Sequence, residues 1–206
     1  MRKWSALVVC LVSSSFLLLQ ACSRNLDPQE SCNFVQNSSL QRVSWKQNLP
    51  VRLFIHKSVP PQYYLAIEAA IESWNSILGQ KLLVIDAFGT TGAGPDRDGY
   101  SVLYWMDTWE ANKPTEQART TVYWSGSVIY EADIKFNAKN FHFSPTPQDT
   151  TAATVDFESL VLHELGHVLG LSHSSLQASV MNKNLANGVK RTSINEQDKE
   201  SLQCEY

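Results

Sequence analysis

The sequence predicts an α+β fold, an α/β sandwich in which a mixed sheet packs against helices. A length of 206 residues suits one domain with a sizeable core. A strand-like alternation is followed by a helical pattern, then several short strand-like runs, then helical patterns again, the order of such a sandwich. Six Trp, seven Tyr and eight Phe supply the large side chains that fill it. With 18% charged residues, nine Gly and eight Pro, neither long disorder nor a collagen-like repeat fits. The formal net charge of −3 carries no electrostatic footprint for nucleic acid, so no such partner is expected.

The N-terminus reads as an address. Arg2 and Lys3 precede an apolar run from Ala6 to Leu19 that Ser13, Ser14 and Ser15 interrupt. It is too short for a membrane span, and residues 1–21 read as a signal peptide. The ending Leu19-Gln20-Ala21-Cys22 resembles the lipobox of bacterial lipoproteins. That resemblance implies cleavage before Cys22, acylation of Cys22, and an exported domain lipid-anchored to a bacterial membrane, at the outer membrane or the cell surface and periplasm. Polar residues 22–44 then read as a spacer, and 45–206 as the folded domain. Cys10 leaves with the signal, so Cys32 and Cys204 remain as an even pair, which in an exported protein reads as a disulfide. The competing reading has Cys32 as a thiolate that plugs a metal site.

Within the folded part, Val51, Leu53 and Ile55 alternate with Arg52 and Phe54 as a strand. Pro61 opens a helix that carries Leu65, Ile67, Ala70, Ile71, Trp74, Ile77 and Leu78 and ends at Gly79. Leu82–Ile85, Ser101–Trp105, Thr120–Trp124 and Tyr130–Asn137 read as further strands. The loop Gly89–Gly99 contains Asp96-Arg97-Asp98-Gly99, which lacks the spaced ligands of a calcium loop and reads as a turn. Trp105, Trp109 and Trp124 are expected in the core rather than in a cleft, and His56 and His142 are expected to be structural or at the surface.

Val155–Leu169 is a helix opened by Thr154 or Asp156 and closed by Gly170. It contains His163-Glu164-Leu165-Gly166-His167 and continues Val168-Leu169-Gly170-Leu171-Ser172-His173. Histidines four apart on a helix project from one face, a spacing at which both rings can bind one tetrahedral zinc. Glu164 lies about 100° around the helix from His163, beside the metal position rather than on it, where a carboxylate can take a proton from water. Gly170 can turn the chain back and bring His173 in as a third ligand. Three histidines leave one position open, the arrangement of a catalytic rather than a structural zinc. Three of the chain's five His fall in this segment, which makes it the most specific signal present.

His163 to His173 matches the long zinc signature of the metzincins, and Ser174 after it resembles the matrixin branch. Ser179-Val180-Met181 resembles the Met-turn whose methionine underlies the histidines, so Met181 and Gly170 would support the site. Glu131, Ala132, Asp133, Ile134, Lys135, Phe136 and Asn137 resemble the family's edge strand, which pairs antiparallel with substrate. Ser193-Ile194-Asn195-Glu196-Gln197-Asp198 resembles the closing helix, with Ser193 as its cap. The resemblance implies a five-stranded, twisted, mostly parallel sheet with an antiparallel edge strand, an active-site helix and a small C-terminal subdomain, divided into 45–170 above and 171–206 below. It also implies one catalytic zinc on His163, His167 and His173, Glu164 as general base, a protein or peptide substrate and a metalloendopeptidase activity. The loop that holds structural zinc and calcium in vertebrate matrixins has no counterpart, so calcium is unsupported. After Met181 stands Asn182-Lys183 where the family has Tyr-Pro, and Asn182 to Thr192 is expected to shape the pocket beyond the scissile bond. A monomer is expected. The alternative to a general endopeptidase is a zinc-loaded surface lipoprotein with a binding role or a very narrow peptidase activity.

Overall fold

A computed structural model describes residues 32–92 and 94–206. The signal peptide and the lipidation of Cys22 fall outside the described residues.

Alternating apolar residues make β1 (Val51–His56), which buries Val51, Leu53 and Ile55. Pro61 then starts a short 3-10 turn that leads into α1 (Tyr64–Leu78). This helix buries Ala66, Ile67, Ala70, Ile71 and Trp74 on one stripe and stops where Gly79 takes the left-handed conformation, φ 65°. The strands β2 (Leu83–Thr90), β3 (Ser101–Met106), β4 (Ala118–Ser125) and β5 (Val128–Asn137) follow, then a two-stranded ribbon of β6 (Phe143–Ser144) and β7 (Val155–Asp156). The chain ends with α2 (Phe157–Val168) and α3 (Glu196–Gln203). The main sheet has the order β2-β1-β3-β5-β4, with all pairings parallel except β4 against β5. This is the mixed, mostly parallel five-stranded sheet with an antiparallel edge strand.

One face of the sheet and the two long helices share the core. The indole N–H of Trp74 donates to the Leu162 carbonyl at 2.9 Å, which fixes α1 against α2. Tyr63, Trp105, Phe136, Phe143 and Phe157 form an aromatic cluster, with Tyr63 stacked on Trp105 at 4.5 Å and Phe136 against Phe157 at 4.8 Å. Each such pair contributes about 1 kcal/mol beyond its buried area. Trp105 therefore packs in the core as expected, and Trp109 is buried too, with Arg119 and Lys135 over its ring. Trp124 does not; it is 42% exposed.

Three expectations are corrected. Residues 32–44 are not part of a spacer. They form a docked hairpin, closed by the Gln36–Arg42 bridge, in which Cys32, Phe34 and Val43 are buried. Its polar residues bond locally in the turn while alternate apolar ones reach the core, so composition concealed it. A disulfide joins Cys32 to Cys204 with the Cα atoms 5.7 Å apart, so Cys32 is not a ligand of the histidine cluster. Nearby, Glu205 pairs with Arg42 and Lys46.

The second correction concerns the edge. Glu131, Ala132, Asp133, Ile134, Lys135, Phe136 and Asn137 lie on β5, which is hydrogen-bonded to β3 on one side and β4 on the other and has no free edge. The hairpin at Ser125–Val128 folds β4 to the outside. Near-continuous burial of β5, Glu131 and Asp133 included, is that of a central strand. Third, α3 is capped by Asn195, whose side chain accepts from the Asp198 N–H at 2.8 Å, and not by Ser193.

Candidate active site

Asp156 caps α2 by accepting the Ser159 N–H at 3.0 Å, and the helix then carries His163, Glu164 and His167 along the sheet. The chain leaves it through Gly170, at φ 98°. A Cβ there would lie 2.4 Å from the Val43 carbonyl oxygen, so both conformation and the docked hairpin demand glycine. The reversal returns His173 to the two helical histidines. The Nε2 of His167 lies 3.2 Å from that of His163 and 3.2 Å from that of His173.

The donor set fits a metal. His163 Nδ1–H donates to the Val180 carbonyl at 2.7 Å and His167 Nδ1–H to the Leu171 carbonyl at 2.8 Å. A carbonyl only accepts, so these bonds place the proton on Nδ1 and leave the Nε2 lone pairs facing one another, an arrangement that a shared cation satisfies. Burial pushes His163 down to about 3 and His173 below its ordinary value, which keeps the rings neutral at neutral pH. Among the described residues this triad is the one His/Cys/Asp/Glu group that could hold a metal ion.

Beneath it lies Met181, fully buried. Gly166, between the two helical histidines, makes that placement possible: a Cβ there would meet the Met181 sulfur at 2.2 Å and the Trp74 ring at 3.1 Å. From α3, Asp198 accepts the Ser179 hydroxyl at 2.5 Å and the Val180 N–H at 2.9 Å, which holds the turn that buttresses His163. Gly166 and Asp198 were absent from the sequence-based set. An interior helical glycine carries a propensity cost with no local reason, a signal that could have found the first; nothing local points to Asp198.

Glu164 is almost wholly buried, and burial raises its carboxyl above the usual range. The Thr120 hydroxyl on β4 donates to Glu164 Oε2 at 2.5 Å, across 44 residues of sequence. That bond fixes one oxygen and leaves Oε1 for a reactant. Thr120, too, was missed, because only the sheet brings it there.

A cleft of about 730 Å³ runs between β4 and the segments on either side of the triad, lined by His163, Glu164, His167 and His173 at its centre. Lys183, Asn184, Leu185 and Ala186 line one end, where the Gln117 side chain donates to the Leu185 carbonyl at 2.9 Å. Arg191 donates to the carbonyls of Asn182 and Asn184 and so shapes the same loop. His56 bonds Ser58 and His142 is exposed, both away from the triad.

The matrixin family model matches residues 103–206, half of the chain including the triad, Met181 and α3. The chain belongs to the matrixin family. Metalloendoproteinase 2-MMP of Arabidopsis thaliana is 39% identical over 57 residues, 28% of this chain and 15% of the relative. Metalloendoproteinase 1-MMP of the same plant is 26% identical over 135 residues, 63% of this chain and 34% of the relative. The chain thus matches between 15% and 34% of the length of these curated relatives. Matrixin membership implies zinc, and the imidazoles of His163, His167 and His173 form a donor set that could hold it.

Proposed function

We propose that this matrixin is a zinc-dependent endopeptidase that hydrolyses peptide bonds of extended polypeptides. The observation that carries the reading is a general base held in place beside a metal triad. Glu164 Oε2 is tethered by Thr120, and Glu164 lines the cleft beside β4, the outermost strand of the sheet. His163, His167 and His173 would hold zinc, which when bound supplies Lewis acidity toward water and a scissile carbonyl. A substrate strand adds to the open edge of β4 through main-chain hydrogen bonds, the role first assigned to β5. Glu164 takes the proton of the attacking water at Oε1, and its raised proton affinity suits it to pass that proton to the departing amine nitrogen. The buried setting of the carboxylate keeps bulk water from competing for it.

The same reading includes export and a lipid on Cys22, supported by the Leu19–Cys22 motif. Among the described residues no helix is long and apolar enough to cross a membrane. Mass spectrometry of the mature N-terminus, for wild type and Cys22→Ser, tests it: a diacylglyceryl mass lost in the variant is expected, and an unmodified wild-type Cys22 would refute it.

Elemental analysis and casein cleavage, run on wild type and Glu164→Ala together, test the peptidase. One zinc per chain in both proteins is expected, with cleavage reduced by about 10²–10⁴ in the variant. Zinc-loaded wild type that leaves casein and a peptide library intact would refute the reading.

A further inference from the structure

The hairpin 33–44 does more than tie the chain end down; it bridges the two lips of the cleft. On the lower lip, Val35 N–H donates to the Gly170 carbonyl at 2.9 Å and Ser172 N–H to the Asn33 carbonyl at 2.8 Å, immediately before His173. On the upper lip, Ser44 N–H donates to the Ser127 carbonyl at 3.1 Å, Ile129 N–H to the Ser44 carbonyl at 2.8 Å, and the Asn37 side chain to the Gly126 carbonyl at 2.8 Å. The hairpin therefore walls the cleft where the edge strand ends.

Apolar side chains collect at that wall. Val35, Val122 and Trp124 present apolar surface to the cavity that also holds the triad, with the buried Val43, Ile129 and Leu171 packed behind them. The β4–β5 register shifts between Tyr123 and Trp124, where Tyr130 is the extra residue on β5, and along β4 the residues Thr120, Val122 and Trp124 share the cleft face. Trp124 lines the cavity 42% exposed, and among the described residues it has no aromatic ring contact, unlike the core Trp105. An indole left bare inside an apolar pocket is surface available to a ligand.

We propose that this wall is a substrate subsite that selects a large aliphatic or aromatic side chain on the N-terminal side of the scissile bond. The proposal rests on the peptidase reading above. Its direction follows from β4, which runs from Thr120, beside Glu164, to Trp124; a peptide added antiparallel to it points its N-terminal residues toward Trp124 and the hairpin. The hairpin supplies the half-buried Val35, backed by the buried Val43, so selectivity at this end involves a segment outside the zinc-binding region.

Matched fluorogenic peptides that differ only at the second, third or fourth residue before the scissile bond, with Phe, Leu, Gly or Asp there, test it. Wild type is expected to favour Phe or Leu at one of those positions by about tenfold or more in kcat/KM. Trp124→Ala should bring that ratio close to one while Trp124→Phe retains most of it, with zinc content unchanged in both. The same peptides should show the same order of Kd on zinc-loaded Glu164→Ala by fluorescence anisotropy. A wild type indifferent at all three positions, or a ratio that Trp124→Ala leaves intact, would overturn the subsite and leave the peptidase standing. Zinc-loaded wild type that cleaves neither these peptides nor casein would overturn both.

Discussion

Glu164 and Asp133 are two buried carboxylates on opposite sides of the same pair of strands. Thr120 and Thr121, neighbours on β4, face opposite sides of the sheet: Thr120 donates to Glu164 on the cleft side, and Thr121 stands opposite Asp133 on the other. Burial raises both carboxyls, Asp133 to about 7. Yet the environments differ. Glu164 has one oxygen tethered by Thr120 and lines the same cavity as the three imidazoles. Asp133 accepts the Val102 N–H at 3.0 Å on Oδ1, while Oδ2 is buried and accepts no hydrogen bond among the described residues, close to Glu131, Asp98 and Asp96. A raised pKa thus marks burial, and it is the cleft beside Glu164 that separates the base proposed above from the buried Asp133.

Paired amide variants probe this contrast most strongly. Glu164→Gln should lose about 10²–10⁴ in kcat, whereas Asp133→Asn should keep casein cleavage within about twofold, since it removes no group from the cleft. A comparable loss in Asp133→Asn would erase the distinction between the two faces.

Next in size is the packing beneath the triad. Gly166→Ala should cost about 2 kcal/mol of stability, read as a lower midpoint in denaturant, because the new methyl must displace Met181 against Trp74. Gly79→Ala, in open space at the end of α1, is a control in which only backbone strain acts.

A smaller effect sharpens the role of the tether. Thr120→Val keeps the shape and removes the hydrogen bond, so kcat should fall by about tenfold with KM and zinc content unchanged. Thr120→Ser should recover most of that loss; a Ser variant as slow as Val would mean that the hydroxyl does not position Glu164.

The remaining effect is on the pH dependence of stability. The folded protein holds the Asp133 proton more tightly than the unfolded chain, whose value is 3.8, so this group lowers stability as pH rises from about 4 to about 7 and adds no further slope above that. Thermal midpoints of Asp133→Asn should lack that component, and identical pH profiles for variant and wild type would show that Asp133 ionises without penalty.

What the sequence by itself determined is what helix geometry and chain reversal can encode locally. The i, i+4 spacing of His163 and His167 and the turn at Gly170 operate within a few residues, so the triad and its metal could be read before any fold was known. The strand and helix order was legible for the same reason, as hydrophobic periods of 2 and 3.6 residues. Only the tertiary structure decided which strand is outermost, because alternation reports burial and not a strand's neighbours; hence the exchange of β5 for β4. It also decided that residues 32–44 wall the cleft, that Gly166 admits Met181 and that Thr120 meets Glu164. Each is a contact between segments distant along the chain, whose partners the local pattern leaves unspecified and only packing of the whole domain selects.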